Sequence, residues 1–437
     1  MPDHRVMPPA LKRRLGLPLL VLYGVGITIG AGIYVLIGAV AAHAGRYTPW
    51  SFVLAAAVMA FTVGSYAELA TRFPVSAGEA AYVRHAFGSR TLSRLTGLLT
   101  VVVALIASAA VAVGAAGYLA QFLSLPTWAL VAGVLLLLGV VAVWGILESV
   151  LIASVFTLIE VGGLVAIIIA GARSGVSLSE GVALPPVHLP TLVGVGYASL
   201  LAFFAFIGFE DLANVVEEAK MPHRDIPLAM AFTLLIATIL YLGVAVSAVW
   251  VMPPDRLAAS KAPLSEVFQA LTGASPTIIS LIAICATFNT ILAQVSMAAR
   301  VIYGMARQGD LPAWTGHVHS KTATPIMATA LVVTAALVIA LLLPLERLAE
   351  STSVATLLVF AMVNLSLLRL RLTKMRPPGQ HVRVPIWVPA SGLVTCIAMI
   401  SATHRRMSGL QEARINIGRT DAHGDLDACD LSHTQPA

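Results

Sequence analysis

About eleven apolar stretches, each near the twenty residues that cross a bilayer, follow one another along this chain. They cover residues 17–41, 49–71, 95–122, 126–146, 150–172, 192–217, 226–251, 275–306, 325–343, 348–368 and 384–402. Hydrocarbon offers no water to satisfy backbone N–H and C=O groups, so such runs are read as helices that bond internally. Charged residues make up only 11% of the chain, against about 25% in an average soluble domain. The fold class expected is therefore an all-α polytopic membrane protein embedded in a lipid bilayer. The segment Met1–Leu15 is polar and basic and the first apolar stretch is span-length, so no cleavable signal peptide is expected.

Two of the apolar stretches are interrupted. The first contains GVGITIGAGIY (Gly24–Tyr34) and the sixth contains FFAFIGFED (Phe203–Asp211). Glycine weakens a helix interior by about 1 kcal/mol relative to alanine. Irregular backbone at membrane depth is tolerated where it lines a cavity or is buried in protein. Spans one to five and six to ten form two sets of five; five is odd, so the second set runs inverted. Matched breaks in the first helix of each set predict an inverted-repeat transporter with discontinuous helices 1 and 6, which bind substrate between the broken ends. The plain alternative for the glycines is close helix packing, which small residues favour in membranes.

Basic residues set the orientation. With a cytoplasmic N-terminus, the inner segments carry Arg5, Lys12, Arg13, Arg14, Arg72, Arg84, Arg90, Arg94, Lys220, Arg224, Arg300, Arg307, Lys321, Arg369, Arg371, Lys374, Arg376 and Arg383. The outer loops carry only Arg46, Arg173, Arg256, Lys261 and Arg347. That bias predicts a multi-pass protein of the cytoplasmic (inner) membrane with its N-terminus inside. The organisation expected is a cytoplasmic segment (1–16), a ten-helix transport core (17–368), a basic inner loop with an eleventh span (369–402), and a polar, disordered tail (403–437). On an eleven-span reading the tail lies outside with Arg405, Arg406, Arg414 and Arg419, against the charge rule.

Several motifs in order give the chain a family resemblance. Gly26-Ile27-Thr28-Ile29-Gly30-Ala31-Gly32-Ile33 fits the first-helix signature G-x-x-[IM]-G-[AST]-G-I of the amino acid–polyamine–organocation permeases. YAELATRFPVSAGEAAYVRHAFG, FFAFIGFEDLANVVEEAKMPHRDIPLA and ARVIYGMARQGDLP resemble that family's further motifs, most closely in bacterial permeases related to cationic amino acid transporters. The resemblance covers residues 15–400. The chain departs from the pattern at Met221, Ala77 and Ala80, and the family's usual twelfth span is replaced by the polar tail.

The resemblance implies a secondary transporter that moves amino acids by alternating access, as proton-coupled symport or exchange, without a cofactor. Half-helix N-termini offer N–H groups to a carboxylate and C-terminal ends offer carbonyls to an ammonium group. The substrate carboxylate is expected on the amides of Ala31 and Gly32 with the Thr28 hydroxyl near, across the turn Thr28-Ile29-Gly30. The family's ammonium site maps to carbonyls near Ile27, Phe204 and Ile207, with Phe204 and Phe206 as aromatic gates.

Glu160 lies ten residues into span five, where a charge costs at least about 2.5–3.5 kcal/mol. Proton-coupled relatives hold a lysine at this place. Glu160 is therefore a candidate for the coupling proton; sodium coordination and a neutral, hydrogen-bonded acid stay open. Glu210 is read as a gating or coupling acid or as a local cap, and Asp211 as a vestibule residue. Glu68, Glu217 and Glu218 are read as inner-gate ion-pairing groups or solvated charge. Asn289 and Gln294 line the pathway or join helices.

Other classes fit less well. There is no HExxH, no GxSxG and no pair of aspartates inside a span, so no enzyme is expected. Cys285, Cys396 and Cys429 are scattered and His317 and His319 are not spaced for metal, so no metal site or disulfide framework is expected. The formal net charge of +6 comes from helix ends, and nucleic acid is not expected as a partner. No repeated filter sequence suggests a channel. The alternative function is a transport-deficient amino-acid sensor or accessory subunit on the same fold. The preferred amino acid and the oligomeric state are not legible, with a lean to neutral substrates.

Overall fold

The computed structural model describes residues 15–74, 78–144, 150–175, 184–307, 309–319, 324–373 and 381–402. The expectations for 1–14 and for the 403–437 tail, for Lys321, Lys374 and Arg376, and for Ala77 and Cys429 lie outside the described residues.

Each apolar run carries a helix, and three short helices (Gly78–Phe87, Pro254–Ala259 and Pro263–Thr272) form outside those runs. The first run forms α1 (Leu17–Ile29) and α2 (Ala31–Ala44), separated by a single residue, Gly30. Then come α3 (Thr48–Arg72), α4 (Gly78–Phe87), α5 (Arg90–Leu119), α6 (Thr127–Trp144) and α7 (Val150–Arg173). The sixth run forms α8 (Leu189–Phe204), which stops at the second predicted break. Two short 3₁₀ turns, Phe209–Ala213 and Val216–Glu218, replace any continuation as α-helix. The chain resumes with α9 (Pro222–Val251), α10 (Pro254–Ala259), α11 (Pro263–Thr272), α12 (Thr277–Arg307), α13 (Ile326–Leu342), α14 (Leu345–Leu372) and α15 (Trp387–Ala402).

Among the described residues, seven helical stretches are long and apolar enough to cross a membrane, the first running Leu17–Arg72 through α1, α2 and α3. α8, α13 and α15 are shorter apolar helices. One isolated parallel bridge joins Leu15 to Ala219.

The helices do not pack in sequence order. α1 lies against α7 and α9, α2 against α8, and α5 against α12 and α14. The broken elements are thus interior, while α6 turns Leu136, Leu137 and Val140 outward. The glycines of α1 make this closeness possible. A Cβ on Gly24 would lie 2.4 Å from the Thr233 hydroxyl of α9, and one on Gly26 would lie 1.9 Å from that of Thr157 on α7. One on Gly30 would lie 2.1 Å from that of Thr290 on α12. Three threonine hydroxyls from three helices therefore occupy the space that α1 leaves open. The packing role of these glycines and the break at Gly30 coexist.

Candidate functional site

The two interruptions meet in space. A Cβ on Gly32, in the first turn of α2, would stand 2.5 Å from the Ala205 Cα just past the end of α8. A Cβ on Gly208 would stand 2.9 Å from the carbonyl oxygen of Ile27. Gly208 has φ +132°, a conformation that side-chain-bearing residues rarely adopt. Tyr241 of α9 ties the two breaks together. Its hydroxyl is shared between the carbonyl oxygens of Thr28 at 2.8 Å and Ala205 at 2.7 Å. Tyr241 is fully buried.

The sequence-expected residues collect around this point with differing surroundings. Ile29, Ala31 and Phe206 are fully buried; Thr28, Phe204 and Ile207 are nearly so. The Ala31 amide is already bound, donating to the Thr290 hydroxyl at 3.0 Å, so a carboxylate arriving there shares or displaces that bond. The Thr28 hydroxyl has no hydrogen-bond partner among the described residues. Phe206 packs edge-on against Tyr241, with ring centroids 4.9 Å apart, and also against Phe52 at 6.5 Å. That is the surroundings of a core aromatic that supports the Tyr241 bridge.

Glu160 sits behind the first break. Its Oε1 accepts from the Asn289 side-chain amide at 3.1 Å, and its Oε2 is buried with no partner among the described residues. Its backbone carbonyl accepts from Tyr34 of α2 at 2.6 Å, and the Tyr34 carbonyl accepts from Tyr118 of α5 at 2.7 Å. A hydrogen-bonded line α5–α2–α7 thus fixes the second half of the broken helix beside the carboxylate. Asn289 is one of the two span-eight amides noted in the sequence, and it joins α12 to α7 here.

The other acids divide into three groups. Glu210 Oε2 accepts the Gly208 amide at 2.8 Å, capping the 3₁₀ turn that follows the second break. Asp211 accepts from Asn214 at 3.3 Å. Glu210, Asp211, Asn214, Gln294 and Ile207 line one cleft with Glu79, a residue the sequence reading did not single out. Glu79 is held by the Tyr66 hydroxyl at 2.9 Å.

Glu68, fully buried on α3, accepts from Arg72 at 2.5 Å, from Arg371 Nε at 2.8 Å and Nη2, and from the Val384 amide at 2.9 Å. It binds α3 to the end of α14 and to the chain entering α15. The Glu217–Lys220 segment is joined to the start of the described chain by backbone: Leu15 donates to Glu218 O at 3.0 Å, and Lys220 to Leu15 O at 2.8 Å. Among the described residues no group of three His, Cys, Asp or Glu side chains could hold a metal ion.

Sequence reasoning missed Tyr241, Thr290 and Glu79. Tyr241 and Thr290 lie in unbroken helices far from either motif, and only the packing brings them to the breaks.

Two interrupted, interior helices joined at their breaks within an all-helical, polytopic bundle define a membrane transporter class rather than an enzyme. The sequence profile described as amino acid permease matches residues 15–410. The chain belongs to that family, within the amino acid–polyamine–organocation superfamily. It is 30% identical to the branched-chain amino acid permease of Bacillus subtilis (strain 168) over 426 residues, 90% of this chain and 88% of that protein. It is 31% identical to the mitochondrial cationic amino acid transporter 3 of Arabidopsis thaliana over 389 residues, 83% of this chain. That alignment takes in 63% of the plant protein, so the chain spans less than two thirds of its length. An uncharacterized transporter of Mycobacterium tuberculosis is 31% identical over 92% of this chain.

Proposed function

We propose that this chain carries amino acids across the cytoplasmic membrane as a secondary, proton-coupled permease, with its N-terminus inside. The observation that carries the reading is the Tyr241 hydroxyl shared between carbonyls of both breaks. Broken ends held this close offer amides and carbonyls at one point, which suits a zwitterion. On this reading residues 17–368 form the five-plus-five inverted-repeat core, with α1–α2 and α8 with its 3₁₀ turns as discontinuous helices one and six. Residues 369–402 form an inner loop and eleventh span, flanked by segments 1–16 and 403–437.

The carboxylate of the substrate is assigned to the Gly30–Gly32 turn, where the Gly32 amide and the unpartnered Thr28 hydroxyl supplement the Ala31 amide. The ammonium group is assigned to carbonyls of Ile27, Phe204 and Ile207. The relatives' names extend to branched-chain and cationic amino acids, so amino acid is the class proposed.

Glu160 is assigned the coupling proton. Its unpartnered Oε2 beside the first break supports this. Release and uptake of a proton there changes the charge behind α2, against which the substrate carboxylate sits. Uptake of labelled amino acids into proteoliposomes holding the purified chain tests the whole reading. Uptake that no amino acid supports rejects it. Glu160→Gln is expected to abolish uptake driven by a pH gradient while sparing exchange. Unchanged pH-driven uptake in that variant removes Glu160 from the coupling role.

A further inference from the structure

Away from the substrate breaks, at the opposite end of the bundle from the Leu15–Ala219 bridge, three helices are tied by titratable side chains. His43, in the last turn of α2, places Nε2 2.7 Å from Glu346 Oε1 in the first turn of α14. Tyr197 of α8 meets the His43 ring edge-on, with centroids 4.7 Å apart. Its hydroxyl lies 3.1 Å from Glu346 and 3.3 Å from Glu350. Arg347 pairs with Glu350 at 3.1 Å. The two broken helices, α2 and α8, thus meet the unbroken α14 at one cluster.

The charges of this cluster are nearly balanced. Glu346 and Glu350 bring two negative charges, and Arg347 brings one positive. A protonated His43 completes neutrality; a neutral His43 leaves one negative charge where side-chain exposure is 7% at Glu350 and 43% at Glu346. Histidine is the side chain whose charge changes across the physiological pH range. The elements packed on α2 at this end bring further charges: Arg46 on the turn that follows it, Asp255 and Arg256 on α10, and Glu266 on α11.

We infer that His43, Tyr197 and Glu346 form a pH-sensitive latch that holds the outer ends of the two broken helices against α14, closing the route to the substrate breaks from that side. The term "outer" rests on the orientation given under Proposed function. Protonating His43 turns its bond to Glu346 into a charge-assisted one, roughly twice as strong as a neutral bond. Acid on that face therefore favours the closed arrangement, and alkali loosens it.

The test reads opening directly and needs no transported substrate. In the full chain with Cys285, Cys396 and Cys429 replaced by alanine, Ala198→Cys on α8 and Ala41→Cys on α2 place reporters at positions buried in this structure. A membrane-impermeant maleimide is applied to each face in turn, in vesicles at about pH 5.5 and about pH 8. Rates are normalised to the unfolded chain at the same pH. Labelling is expected to run roughly five-fold faster at the higher pH. His43→Gln keeps a hydrogen-bonding group but no titration, so it should label fast at both values. Glu346→Gln should do the same and serves if the first variant does not fold. A parent chain without the pH ratio overturns the latch, as does a His43→Gln chain that keeps it. The face that labels reports the orientation separately, so a wrong orientation and a wrong latch give different results.

Discussion

The two helix breaks are built differently. The first is a single residue: α1 ends at Ile29, α2 begins at Ala31, and both halves stay α-helical. The second spends the whole stretch from Ala205 to Glu218 in turns and 3₁₀ segments before α9 begins. The first is closed by neighbours that fill the glycine positions: Thr290, Thr157 and Thr233 press against α1 from three helices. The second is closed from within, by the Glu210 carboxylate on the Gly208 amide and by the positive φ of Gly208. A break held by its surroundings takes only one residue, Gly30, out of the α-helix. A break that supplies its own cap consumes several residues, and three of them, Ile207, Glu210 and Asp211, line a cleft with Glu79 and Gln294.

The sharpest way to break this comparison is to add one carbon at each glycine. Gly208→Ala meets both a disallowed φ and the Ile27 carbonyl, and Gly32→Ala meets the Ala205 backbone. Neither obstacle can rotate away, so each change should cost at least about 1–3 kcal/mol and lower uptake on the order of tenfold or more. Melting of the purified variants beside the uptake assay measures both effects. If either variant is silent, the two breaks are not in contact as described.

Next in size is Tyr241→Phe, which frees carbonyls of both breaks at once. Leaving buried acceptors unsatisfied costs about 1–3 kcal/mol, and the expected result is a lower Tm together with slower exchange. A variant that loses stability but exchanges normally would make Tyr241 a packing residue only.

Smaller is Gly30→Ala, because its obstacle is the hydroxyl of a side chain. Replacing Thr290 by alanine in the same chain should restore much of the lost stability, whereas no side-chain replacement should rescue Gly32→Ala. Thermal unfolding of the single and double variants shows the non-additivity expected of residues in contact.

The smallest effect is expected outside both breaks, at Asp310 in the connection after α12. A hydrogen bond from Arg94, with Arg94 and Arg90 charges beside it, holds the Asp310 carboxyl below its usual range. A folded-state value below the unfolded one adds stability that is present above the unfolded value. That stability is lost as pH falls through the folded value. The two arginines are 54% and 36% exposed, although the Asp310 side chain is only 6% exposed, so Asp310→Asn should lower Tm only slightly near neutral pH, and the difference should vanish in acid.

Much of the helix map was legible from hydrophobicity alone. Span-length apolar runs have one internally satisfied conformation in lipid, so the apolar helices from Leu17 to Ala402 fall where those runs lie, while the short helices α4, α10 and α11 do not. Both breaks were legible too, because GVGITIGAGIY and FFAFIGFED carry the glycines that interrupt a helix. The roles of single acids were less so. Glu68 reads as an inner-gate group in the sequence, and its surroundings are a buried anchor between α3, α14 and the approach to α15. Nothing in the local sequence of Glu68 encodes Arg371, three hundred residues away.

What the sequence determined by itself is the set of apolar helices and the points at which two of them fail, since hydrophobicity, length and glycine act locally. The tertiary structure decided which groups meet at those points. Tyr241 on both breaks, Thr290 on the Ala31 amide, Asn289 on Glu160 and His43 on Glu346 are all contacts between helices distant in sequence. Such contacts depend on how cylinders of similar apolar surface order themselves in a bilayer. That order is set by small residues and buried hydrogen bonds summed over the whole bundle, which no single segment specifies.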